Sequence, residues 1–167
     1  MKVRSLVGVV MALALACAAA AQTKQSGTAQ CGKPDPTHSV EIGDRPNHSM
    51  VMSKFQCTWT KGLEMGGSSS KDGNNTEIAE MSGSKSTGSG VHWSTMASGD
   101  KYFVKYSVKG SYTKDGALES GSGTWKYTGG TGKLKGLTGN GTFTCKGNAD
   151  GSATCEVEGE YTLPAAK

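Results

Sequence analysis

Residues 123–145 read GTWKYTGGTGKLKGLTGNGTFTC. Thr, Trp, Tyr and Phe flank a run in which Gly129, Gly130, Gly132, Gly136, Gly139 and Gly141 recur every one to four residues. Glycine supplies the bends and positive-φ positions that other residues resist, so the stretch reads as strand, tight turn, strand. It also invites a phosphate-loop reading. A P-loop needs G-x-x-x-x-G-K-[ST] between a strand and a helix. Tyr127 stands at the first glycine position, Leu134 replaces the Ser/Thr, and no helical periodicity follows. Turn geometry is the better account.

Outward from this stretch the dominant period is two. Ala153, Cys155, Val157, Gly159, Tyr161 and Leu163 alternate with Thr154, Glu156, Glu158, Glu160 and Thr162. That is the pattern of an antiparallel strand with one wet face. Residues 51–59 and 102–109 repeat it, and shorter candidates at 39–42, 76–81, 91–97, 118–127 and 141–146 bring the set to eight. Turn-forming residues at 66–70, 71–74, 98–100 and 114–116 separate them. Residues 83–90 (GSKSTGSG) read as a flexible loop. Short strands at this spacing, without amphipathic helices, predict one all-β domain: an eight-stranded antiparallel β-barrel over residues 39–164. Closure removes exposed strand edges. Residues 22–38 (QTKQSGTAQCGKPDPTH) lack periodicity and contain Pro34 and Pro36, which predicts an extended N-terminal arm pinned at Cys31.

The first 21 residues have a different character. Lys2 and Arg4 precede an apolar run at 6–16 (LVGVVMALALA), and Ala19 and Ala21 supply an A-x-A site. This predicts a signal peptide over residues 1–21, cleaved before Gln22, and a periplasmic or extracellular protein. Cys17 opens a lipoprotein alternative, but Leu15 lies one position nearer the cysteine than lipidation favours. Without residues 1–21, which carry two bases and no acid, the formal charge falls from +4 to +2. The lysines are scattered singly, so nothing resembles a nucleic-acid footprint, and the mature chain has no integral membrane span. Four cysteines remain: Cys31, Cys57, Cys145 and Cys155. In an exported chain an even number reads as disulfides. Three pairings exist. Turn residues Gly147, Asn148, Asp150 and Gly151 favour a Cys145–Cys155 hairpin staple, which leaves Cys31–Cys57. No C-x-x-C pair is present and the histidines lie far from the cysteines, so neither a metal nor a cofactor is indicated.

A barrel of eight strands can be filled by side chains or can hold one small ligand. Trp59, Trp93, Trp125, Tyr102, Tyr106 and Tyr161 are the candidate lining residues. Placing Val91 and Trp93 inward puts His92 outward, while His38 and His48 fall in Pro-rich segments read as surface. Glu156, Glu158 and Glu160 form a solvated row that Lys105 and Lys109 would meet if their strands are neighbours. The pattern leaves the facing of Glu77, Glu80 and Glu119 open. No nucleophile motif accompanies any histidine.

Residues 120–143, SGSGTWKYTGGTGKLKGLTGNGTF, resemble the closing strands of the allene oxide cyclase barrel and dirigent-like superfamily. There a G-G-T-G-[KR]-[FL]-x-G-[AL]-x-G segment links two late strands. The resemblance implies an eight-stranded barrel with a largely apolar interior. It further implies a cyclase acting on a fatty-acid epoxide, a dirigent role in radical coupling, or a bacterial relative of another function. The export signal and two disulfides look bacterial rather than plastid-targeted. The plant enzymes' catalytic glutamate has no alignable motif here, so no catalytic residue is carried over. The expectation is therefore a non-enzymatic barrel that binds a small apolar ligand or a partner surface. The alternatives are an isomerase or cyclase of the resembling type and a structural, envelope-associated protein.

Overall fold

The computed structural model describes residues 22–164, so the expected signal peptide and Cys17 lie outside the described residues. The strands are β1 (Thr23–Cys31), β2 (Thr37–Glu41), β3 (His48–Lys61), β4 (Glu64–Met65), β5 (Ser68–Ser82), β6 (Lys85–Met96), β7 (Lys101–Tyr112), β8 (Leu118–Gly130), β9 (Thr138–Gly147) and β10 (Ala153–Thr162). Eight of them close a ring in the order β3-β1-β10-β9-β8-β7-β6-β5, with β5 pairing back onto β3. Every pairing is antiparallel. The fold is the eight-stranded antiparallel barrel that the alternation predicts.

Its membership differs in one strand. The expected arm at 22–38 contains β1, which pairs with β10 from Thr23↔Tyr161 to Cys31↔Ala153 and with the end of β3. Its sequence, TKQSGTAQC, turns Gly27, Ala29 and Cys31 inward. Small inward residues carry no hydrophobic period, which is why the strand looks like an arm. The expected strand at 39–42 is β2, fully exposed and paired only with the first half of β3, outside the ring. The length of β3 explains both. Its residues Ser49–Ser53 have β2 as neighbour, and its residues from Cys57 to Lys61 have β1. The expected loop at 83–90 shrinks to a turn at Gly83–Ser84, because β6 begins at Lys85. The expected turn at 71–74 is strand, with a register shift between Ser70 and Asp72.

The two ends of the barrel are built differently. The β3–β5, β6–β7 and β8–β9 connections share one end. There Leu63, Met65, Met96, Leu134 and Leu137 are almost fully buried in one cluster. Leu134 sits on a 3-10 turn, Gly132–Leu134, in the glycine-rich link between β8 and β9. Gly132 and Gly136 take positive φ and let that link fold inward as a plug. With Leu134 buried and only this short turn following β8, the segment is a stopper and not a phosphate loop.

The opposite end carries the β5–β6, β7–β8 and β9–β10 hairpins. Two disulfides form there as direct cross-strand pairs, Cys31–Cys57 and Cys145–Cys155. They pack with Ala29, Phe55 and Ala153. Formed disulfides are compatible with an oxidising compartment. Among the described residues no helix is long and apolar enough to cross a membrane.

Candidate functional site

A cavity of about 530 Å³ occupies the barrel above the plug. Its mouth lies at the disulfide end, between Gly32–Pro34, Asp115–Ala117 and Gly151. Four of the six candidate aromatics line it: Trp59 from β3, Tyr102 and Tyr106 from β7, and Trp125 from β8. Tyr161 instead packs against the buried cluster at the plug.

Trp93 is a correction. It faces outward, 39% exposed, with the Lys101 ammonium 4.9 Å from its ring centre. The inward positions of β6 are Ser86, Gly88, Gly90, His92, Ser94 and Met96. Four of the six are Gly or Ser, and at Gly90 an aromatic side chain from the neighbouring strand occupies that side. A Cβ on Gly90 would collide with the Tyr106 ring. The large residues Val91 and Trp93 are therefore left outside, and His92, expected outside, points in.

The polar ends of the lumen aromatics are satisfied within the walls. Trp59 Nε1 donates to Ser94 Oγ at 3.2 Å, and Trp125 Nε1 donates to the Thr142 and Glu158 carbonyls at 3.1 and 3.2 Å. Tyr127 accepts from Gln25 Nε2 at 2.7 Å. The ring faces are left for the lumen, and Trp125, Tyr127 and Tyr102 pack edge to face in sequence.

Two ionisable groups missed by the alternation stand among them. Glu77, from β5, lines the cavity, and the Tyr106 hydroxyl donates to its Oε2 at 3.1 Å. Burial raises the Glu77 carboxyl above the usual carboxylate range, an effect the Tyr106 hydrogen bond opposes. His92 lies against Gly73, with Nδ1 3.0 Å from Asn75 Oδ1. The Asn75 amide donates to Cys57 Sγ at 3.2 Å, which presents its oxygen to His92. This places the imidazole proton on Nδ1 and leaves Nε2 a buried acceptor without a partner among the described residues. Burial lowers His92 to about 4 and pushes Tyr102 up to about 12. The lumen thus drives each group toward its uncharged form.

The remaining candidates lie on the outside. His48, expected at the surface, is 5% exposed and held between Asp44 at Nδ1 and Glu80 Oε1, the latter 2.6 Å from Nε2. His38 and Glu119 are exposed, as are Glu156 and Glu158 of the acidic row. Lys105 and Lys109 do not meet that row, because β7 and β10 are not neighbours; Glu156 accepts from Thr28 Oγ1 at 2.9 Å instead. Among the described residues no cluster of His, Cys, Asp and Glu could hold a metal ion.

Hydrophobic alternation could not mark Glu77, Asn75 or His92, since the residues next to them on their strand faces are Gly, Ala and Ser. The one available signal is the GSG run at 88–90, before Val91. Small residues in a strand mark the side on which large neighbours lie. No family model matches the chain, and no curated protein matches it significantly.

Proposed function

We propose that the protein is a binder of a small, mainly apolar ligand, held inside the barrel and working in an oxidising compartment outside the cytoplasm. The observation that carries this reading is the cavity. Its volume of about 530 Å³ lies within the range of small-molecule sites, roughly 300–1,000 Å³. Its walls are aromatic and aliphatic, and few polar groups converge on it, as such sites require. Trp59 and Trp125 line it and report on occupancy. Titration with 1-naphthol is expected to quench their fluorescence and raise the melting temperature. Val108→Trp, which fills the lumen from β7, is expected to weaken that binding about tenfold or more without unfolding the barrel. Equal binding by wild type and Val108→Trp would show that the ligand sits elsewhere.

A second reading is favoured by Glu77 alone. A carboxyl raised by burial, beside a phenol on a mainly apolar wall, is suited to moving a proton at a carbon acid. That is the chemistry of an isomerase or cyclase, the activity the allene oxide cyclase resemblance implies. Proton exchange at the α-carbon of an apolar ketone in heavy water tests it. Exchange above the protein-free rate, lost in Glu77→Gln, supports catalysis; exchange at the background rate removes this reading.

A further inference from the structure

The charge inventory of the lumen is one-sided. Among the residues that line the cavity, Glu77 is the only acid within the barrel walls. The only lysine or arginine is Lys33, at the mouth, where Asp115 also stands. His92 adds no positive charge at neutral pH, and its free Nε2 is an acceptor. The Tyr106 hydroxyl is Glu77's single hydrogen-bond partner among the described residues. One phenol leaves a carboxylate far short of the several donors that a buried carboxylate uses. The free cup therefore holds an acceptor that lacks a cationic counterpart, and its walls contain none.

A ligand that brings its own cation would complete this arrangement. An ammonium can pair with Glu77 while the faces of Tyr106, Trp125 and Phe143 surround it, since aromatic faces attract cations. A carboxylate ligand would set a second acidic group beside Glu77 with no compensating base, whereas an ammonium would favour the ionised form of Glu77 against the burial that opposes it. A neutral alcohol would gain one ordinary hydrogen bond.

We propose that the cup selects lipophilic amines: a primary or secondary ammonium on an aromatic or short aliphatic body, its charge paired with Glu77 and its body packed against the aromatic wall. The proposal rests on the apolar-ligand reading given above and specifies the head group. It also assigns Glu77 a binding role that needs no chemistry.

Calorimetry with three matched probes tests it at pH 7: 4-phenylbutylamine, 4-phenylbutan-1-ol and 4-phenylbutanoate. The amine is expected to bind about tenfold or more tightly than the alcohol, the margin of one charge-assisted hydrogen bond, and the acid most weakly. Glu77→Gln should reduce the amine to the alcohol's affinity and leave the alcohol unchanged. Should Glu77→Gln fail to fold, Tyr106→Phe frees the carboxyl while keeping the ring, and the amine preference should persist or grow. An alcohol that equals the amine on wild type overturns the proposal and leaves apolar binding standing. So does an acid that binds best, or an amine preference that survives Glu77→Gln. If none of the three binds, the cavity reading falls, and the amine proposal with it.

Discussion

The two ends of the barrel share eight strands and solve opposite problems. At the plugged end, Leu63, Met65, Met96, Leu134 and Leu137 fill the section with side chains, and the loops themselves turn inward. At the mouth, Ala29, Cys31, Cys57, Ala153 and Cys155 turn small side chains inward, and the larger Phe55 and Tyr112 line the opening without filling it. Covalent bonds hold there what packing does not. The cavity is therefore not a defect in the core. It occupies the half of the barrel where disulfides have taken over the work of large hydrophobic side chains.

The largest expected effect tests that division directly. By chain-entropy reasoning, links separated by 26 and 10 residues stabilise by about 3.5 and about 2.7 kcal/mol. Reducing both should lower the melting temperature by roughly 20 °C. Hydrogen exchange should then rise first in β1, β9, β10 and the end of β3, the strands the bonds join. If the plug loops lost protection equally early, the two ends would be one cooperative unit and the comparison would break.

A smaller effect separates the ends by packing. Leu134→Ala removes a fully buried side chain from the plug and should cost about 3 kcal/mol in urea unfolding. Val108→Ala trims a half-buried wall residue that already faces empty space, and should cost less than about 1 kcal/mol. Similar losses at both positions would mean that the lumen is packed as tightly as the plug.

The same contrast decides what could be read from residues alone. The plug was legible as architecture. Dense glycine between two strand patterns implied a tight link, and the departures from the phosphate-loop motif at Tyr127 and Leu134 ruled out the other use of such a loop. Strands β3, β7 and β10 were legible with their facing, because apolar and polar residues alternate through most of each, despite exceptions such as Met52, Ser53 and Phe103. The cavity side was not. The inward faces of β1, β5 and β6 are mostly small or polar: Gly27, Ala29 and Cys31, then Gly73, Asn75, Glu77 and Ala79, then Ser86, Gly88, Gly90, His92 and Ser94. Hydrophobic periodicity reports faces that fill space and is silent about faces that leave it empty. Reading Trp93 as core was the direct consequence. On β6 the largest residue points to solvent because Tyr106 of the next strand needs the room over Gly90. Local sequence contains neither the register nor the neighbour that decides this. The disulfides were accessible because turn residues between Cys145 and Cys155 set that pair, and the other followed.

The two histidines that periodicity misplaced sharpen the comparison last, because the lumen and the rim should give them pH dependences of opposite sign. His92, in the lumen, titrates at about 4 when folded and near 6.5 when unfolded. The unfolded chain binds the extra proton first, so stability falls as pH drops from about 6.5 toward 4, by up to about 3 kcal/mol. Glu77, raised by burial, offsets part of this, because its proton is held more tightly in the folded state. Subtracting the curve of His92→Gln from that of wild type isolates the histidine. His48, between Asp44 and Glu80, is raised when folded, chiefly by its hydrogen bond to Asp44. Its contribution is full below about 6.5 and fades as pH rises through the folded value. His48→Gln should therefore be weakest relative to wild type near pH 5 and should converge with it in alkali. The His92 difference curve should climb between about pH 4 and 6.5, where the His48 curve is level, and the His48 curve should fall above about 6.5, where the His92 curve is level. Parallel slopes would mean that one ring is not where the fold puts it. His92 is the one to suspect, since a histidine turned out of the lumen would lose its low pKa along with its contact with Gly73.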